Sequence, residues 1–90
     1  MLEGGTGATF ELTGEIVSVG RGQKADISLA DPSVSRLHAM LRHGDAGVLV
    51  EDLASANGVF VNGQAVRLHL LHDGDELAFG NVRFTYRASP

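Results

Sequence analysis

Apolar and polar residues alternate over short stretches along almost the whole chain, and residues suited to turns separate one stretch from the next. Thr9-Phe10-Glu11-Leu12 alternates and meets Thr13-Gly14. Glu15 to Val19 is ended by Gly20, and Asp26-Ile27-Ser28-Leu29 is closed by Asp31-Pro32-Ser33. His38 to Arg42 precedes His43-Gly44-Asp45, with Val48 to Glu51 beyond it. Val59-Phe60-Val61 has Asn-Gly on both sides, the strongest short-range hairpin dipeptide. Glu76 to Phe79 turns at Gly80-Asn81 into Val82 to Tyr86. A period of two over four to six residues predicts strands that bury one face. Leu68 to Leu71 fits a helical turn that Asp73-Gly74-Asp75 ends. Met1 to Gly7 is Gly-rich and patternless, which predicts a flexible lead-in and a folded domain over residues 8–88. The twelve glycines fall at the joints, as many tight turns require. The pattern predicts an all-β sandwich of two packed antiparallel sheets with loops gathered at its ends.

Ninety residues suffice for one such domain and no second core. No apolar run approaches the ~20 residues that span a bilayer, so no membrane partner is expected. The chain has no cysteine, which removes disulfide and thiolate chemistry and is compatible with a cytoplasmic location. The net charge of −4 disfavours a nucleic-acid partner, which calls for a basic face. Arg21, Lys24 and Arg36 nevertheless form a local basic group, suited to one phosphate better than to a polyanion.

Three motifs at the edges of strand-like runs carry the candidate chemistry. They are Gly20-Arg21, then Ser35-Arg36-Leu37-His38, then Ser55-Ala56-Asn57-Gly58, with Asn62-Gly63 just behind. Arginine brings a forked set of N–H donors and a permanent charge, serine a hydroxyl donor, and asparagine an amide that both donates to and accepts from a peptide backbone. That set can grip a phosphate together with the peptide bearing it, and it calls for no covalent step.

Together with Ala25-Asp26-Ile27-Ser28-Leu29, Glu51-Asp52-Leu53 and Asp73-Gly74-Asp75-Glu76-Leu77, these motifs resemble, from about Ile16 to Tyr86, a forkhead-associated (FHA) domain. The resemblance implies a β-sandwich whose motif loops converge at one end. It implies a phosphothreonine-peptide recognition module that serves Ser/Thr kinase signalling, with no catalysis and no cofactor. The partner would be a phosphothreonine-containing protein or peptide, including a phosphorylated segment of the same polypeptide. Arg21, Ser35 and Arg36 would bind the phosphate and Asn57 the peptide backbone, while Ser55 and Ala56 would line the pocket. Gly20, His38, Gly58 and Asn62 would be structural. The Gly- and Ala-rich style of the motifs suggests a bacterial source. One departure stands out: many FHA domains carry threonine before the asparagine, and here that position is Ala56, so a hydroxyl is missing and a backbone N–H would have to serve.

Other readings follow from the same residues. A phosphorylation-independent FHA scaffold, working through a sheet face, is the alternative that Ala56 favours. Ser35, His38 and Asp52 could be drawn as a hydrolase triad, but no strained elbow or oxyanion loop accompanies them. His69 and His72 suggest metal ligands, yet no third ligand stands at clear spacing, so solvated or partly packed histidines and no metal are expected.

Overall fold

Val17 and Val19 point into the molecule from one strand, Leu41 and Ala39 lie opposite them on the next, and Val50 and Val48 continue the same face on a third. This alternation builds one layer of the core. The computed structural model describes residues 1–5 and 8–88. Its strands are β1 (Leu2–Gly4), β2 (Thr9–Phe10), β3 (Ile16–Gly20), β4 (Ile27–Ser28), β5 (Ala39–Gly44), β6 (Gly47–Asp52), β7 (Val59–Val61), β8 (Gln64–Val66), β9 (Leu68–Leu70), β10 (Glu76–Phe79) and β11 (Val82–Tyr86). One sheet runs β2-β1-β11-β10-β7-β8 and the other β4-β3-β5-β6-β9. Val59, Val61, Leu77, Phe79, Phe84, Tyr86 and Leu2 close the core from the first sheet. Phe79 sits at its centre with no exposed surface, edge-on to Phe84 at 6.1 Å on one side and to His38 at 5.9 Å on the other.

The predicted sandwich is present, with four corrections. The expected lead-in contains β1. Leu2 is fully buried and pairs with Tyr86 and Phe10, and the terminal ammonium donates to the Arg87 carbonyl at 2.9 Å. One leucine among glycines gives no local period, and it is pairing with the last strand that makes the segment extended. The folded domain therefore starts before residue 8. Residues 6 and 7 of that expected lead-in lie outside the described residues.

Leu68–Leu70 is a strand and not a helical turn. A four-residue helix satisfies too few of its own backbone groups, whereas β9 finds partners along β6, with Leu49↔Leu70 and Glu51↔Leu68. β8 was not foreseen. It follows from Asn62-Gly63, whose φ values of 51° and 82° make the two-residue turn that returns Gln64 opposite Val61. Finally, β4 runs parallel to β3 over two rungs. So short a crossover is held by a clasp in which Ser18 N–H and its hydroxyl both donate to Asp26 Oδ2, at 2.9 and 3.2 Å, and Asp26 N–H donates to Ser18 Oγ at 2.9 Å.

Candidate phosphopeptide site

Four connections meet at one end of the sandwich: β3–β4, β4–β5, β6–β7 and the β10–β11 turn. Their contact begins at Gly20, where a Cβ would run into the Arg36 carbonyl and lie 3.1 Å from Leu37 Cα. With glycine there, the two loops lie side by side. Arg21 N–H donates to the Ser35 carbonyl at 2.9 Å and Gly22 N–H to the Arg36 carbonyl at 3.2 Å. This ladder puts Arg21 beside Ser35 and Arg36. Both arginine side chains are exposed, as is Lys24, and among the described residues neither arginine is in an ion pair.

His38 holds the second junction from beneath. It is fully buried. Its Nδ1 accepts from Ser35 N–H at 3.0 Å and its Nε2 donates to the Gly58 carbonyl at 2.8 Å. An amide donor on one nitrogen and a carbonyl on the other select the neutral tautomer protonated at Nε2. Backbone bonds from His38 N–H to Val19 (2.8 Å) and from Leu53 N–H to the His38 carbonyl (3.0 Å) complete the brace. Both ring nitrogens are thereby committed to backbone groups, and Asp52 Oδ1 accepts from Ser55 N–H at 3.0 Å. The hydrolase geometry, which needs a histidine nitrogen on Ser35 Oγ, is not assembled.

Ser35 Oγ accepts from Ala56 N–H at 3.0 Å. The hydroxyl is thus fixed by its acceptor side, and its proton has no hydrogen-bond acceptor among the described residues. The same bond uses the backbone N–H that the sequence left as a substitute for the absent threonine hydroxyl. Ser55, expected to line the pocket, is half-buried and turned into its own loop, where its Oγ accepts from Gly58 N–H at 2.9 Å. It shapes the loop that presents Ala56 and Asn57. Asn57 is exposed, and its Nδ2 donates to the Ser33 carbonyl at 2.8 Å. That bond orients the carboxamide and leaves Oδ1 and one N–H without a hydrogen bond among the described residues.

Ser33 is the site residue that sequence reasoning missed. Its N–H and hydroxyl both donate to Asp31 Oδ1, at 2.9 and 2.6 Å, its carbonyl takes Asn57, and its Oγ accepts from Asn81 N–H at 2.8 Å. Gly80 passes so close that a Cβ would strike the Ser33 carbonyl. One serine therefore ties three loops together. The hydrogen bonds from Ser33, its hydroxyl first and its N–H second, hold the Asp31 carboxyl below its usual range. Asp31-Pro32-Ser33 signals such a turn, but nothing local signals the reach to Asn81, which is 48 residues away.

Not every expected site residue comes to this end. Asn62 lies at the far end of the first sheet, where its Nδ2 donates to Asp75 Oδ1 at 2.9 Å and its Oδ1 accepts from Glu76 N–H at 3.0 Å. His69 and His72 lie there too, and the loop brings Asp75 to them.

A family model described as "FHA domain" matches residues 17–80. The chain is 37% identical over 84 residues to an oxoglutarate dehydrogenase inhibitor of Corynebacterium efficiens, covering 93% of this chain and 59% of that protein. It thus spans about three-fifths of that relative's length. A chain solved in a structural and functional analysis of phosphothreonine-dependent FHA domain interactions superposes with a TM-score of 0.90 at 37% identity, covering 99% of this chain and 93% of that one. Mycobacterium tuberculosis EmbR, solved in complex with a low-affinity phosphopeptide, superposes with a TM-score of 0.92 at 31% identity, covering 96% of this chain and 23% of that one.

Proposed function

The chain belongs to the FHA domain family, and on that premise we propose that it is a phosphothreonine-peptide recognition module mediating phosphorylation-dependent protein–protein contacts in Ser/Thr kinase signalling. The observation that carries the reading is the Ser35 hydroxyl, anchored through its acceptor side by Ala56 N–H and set beside two arginines that have no ion-pair partner among the described residues. A phosphothreonine brings a charge of about −1.5 to −2 and three acceptor oxygens. Arg21, Ser35 and Arg36 supply charged and neutral donors for those oxygens. Asn57, oriented by Ser33, accepts from or donates to the ligand's main chain and fixes its register. Gly20, His38, Ser55 and Gly58 hold the donors in place, so little ordering is left to be done on binding.

The module works by binding, without catalysis and without a cofactor, and acts in the cytoplasm. Its partner is a kinase-modified protein or a phosphorylated segment of its own polypeptide. Micromolar affinity, roughly −8 kcal/mol, is within reach of three charged or hydroxyl donors plus backbone contacts. A degenerate phosphothreonine peptide library, with its unphosphorylated counterpart, tests the reading. Enrichment of phosphopeptides alone is expected, and equal capture of both libraries would refute it. The second reading, a phosphorylation-independent scaffold, is favoured by one observation: Ala56 offers no hydroxyl and its N–H is already used. It predicts that second outcome.

A further inference from the structure

We propose that His69, His72 and Asp75 form a site for a divalent transition-metal ion at the end of the sandwich opposite the phosphopeptide loops. His69 is on β9, half-buried, and His72 and Asp75 follow on the loop into β10. One ligand atom from each lies within 4.8 Å of the other two. Asp75 is the fixed member, with its side chain only 13% exposed. Its Oδ1 accepts from Asn62 Nδ2 at 2.9 Å, and its Oδ2 accepts from His72 N–H at 2.7 Å. Asp75 N–H donates back to the His72 carbonyl at 2.9 Å, and Gly74 N–H is tied to the Tyr86 carbonyl at 2.8 Å. A ligating carboxylate oriented by an outer amide is how protein metal sites are commonly stiffened.

His72 is the exposed member. Its side chain is 72% exposed, and its Nδ1 already lies 3.8 Å from Asp75 Oδ2. Bonds of about 2.0–2.1 Å in a tetrahedral site require ligand atoms about 3.3 Å apart. Rotation of the exposed His72 imidazole can close its own gap to Asp75, and the ligand atom of His69 already lies within 4.8 Å of both. Two imidazoles and one carboxylate suit Zn²⁺, Co²⁺, Ni²⁺ or Cu²⁺ and disfavour Mg²⁺ or Ca²⁺. Three protein ligands leave a fourth position for water or a donor from another protein. The chain's two described ends meet at the same end of the fold, where Ala88 N–H donates to Asp73 Oδ1 at 3.0 Å.

The proposal does not depend on the phosphopeptide reading. The test is calorimetric titration of the untagged protein with zinc chloride in phosphate-free buffer, with cobalt chloride as the optical probe. One ion per chain at micromolar affinity is expected, with the d–d absorption of a four-coordinate cobalt. His72→Ala, at an exposed position, should weaken zinc at least tenfold without altering the fold. His69→Gln should do the same, whereas His43→Ala should leave binding unchanged. Absence of binding below 1 mM total metal would overturn the site. So would zinc affinity unaffected by His72→Ala, or lost through His43→Ala.

Discussion

Replacing His38 with alanine tests whether the site depends on a buried brace beneath it. The substitution removes a fully buried ring and both of its side-chain hydrogen bonds, at 3.0 Å to Ser35 N–H and 2.8 Å to the Gly58 carbonyl. Each partner left without a bond in a largely dehydrated position costs about 1–3 kcal/mol, toward the lower end where water enters the space. Loss of the edge contact with Phe79 adds about 0.5–1.5 kcal/mol. The total is about 2.5–7.5 kcal/mol, in the lower half of that range where water enters, against the ~5–13 kcal/mol expected of a domain this size. Urea denaturation followed by tryptophan-free probes such as far-ultraviolet circular dichroism reads the stability. Phosphopeptide titration of the folded fraction reads the site. The expected result is a midpoint lowered by about 1 M or more for a slope of about 1–3 kcal/mol per M, together with weakened binding, because Ser35 loses the bond that sets its backbone. A variant within 1 kcal/mol of the parent, binding as tightly, would refute the bracing role.

Three further outcomes follow from the same structure. Ala56→Thr restores a hydroxyl next to Ser35, and one added charge-assisted bond of about 1.5–3 kcal/mol should raise phosphopeptide affinity by about one to two decades; unchanged affinity by calorimetry would show that the position does not face the phosphate. Leu2→Ala should cost about 2–4 kcal/mol in chemical denaturation, because Leu2 is buried in the first sheet, where a free lead-in would cost almost nothing. Stability should also fall in acid. Burial raises the Asp75 carboxyl, but His72 N–H, the Asn62 amide and the nearby imidazoles outweigh it and hold it below the usual range, and Ser33 does the same for Asp31. A depressed folded value means that the unfolded chain takes up the proton first. The stabilisation is thus complete above the usual carboxylate range and disappears as pH falls through the folded values, below about pH 4. Denaturation midpoints from pH 2 to 6 check this, and a Ser33→Ala, Asp75→Asn double variant with an undiminished acid slope would contradict it.

What the sequence made legible was whatever leaves a local trace. Alternation in Val17–Val19, Leu41, Val48–Val50 and Leu77–Phe79 marked the core strands, and Asn62-Gly63 marked a hairpin by its conformational preference. The order of Arg21, Ser35, His38 and Asn57 carried the FHA resemblance, and it was the resemblance that implied loops that converge. What stayed hidden depends on contacts across the chain. β1 owes its form to Tyr86, and β9 to β6, so neither has a period of its own. Ser33 looks like an ordinary turn serine until Asn57 and Asn81 are brought to it. Asp75 becomes a neighbour of His69 and His72 only through the closed loop that Asn62 anchors.

The central claim is tested most directly by calorimetric titration of a library-selected phosphothreonine peptide into the parent chain and Arg21→Ala, with the phosphoserine and unphosphorylated peptides alongside. The account predicts micromolar binding of the phosphothreonine form only, with a loss of about 2–5 kcal/mol on Arg21→Ala, that is, about 30- to 5,000-fold weaker binding. Equal affinity for the unphosphorylated peptide, or an Arg21→Ala variant that binds like the parent, would contradict it.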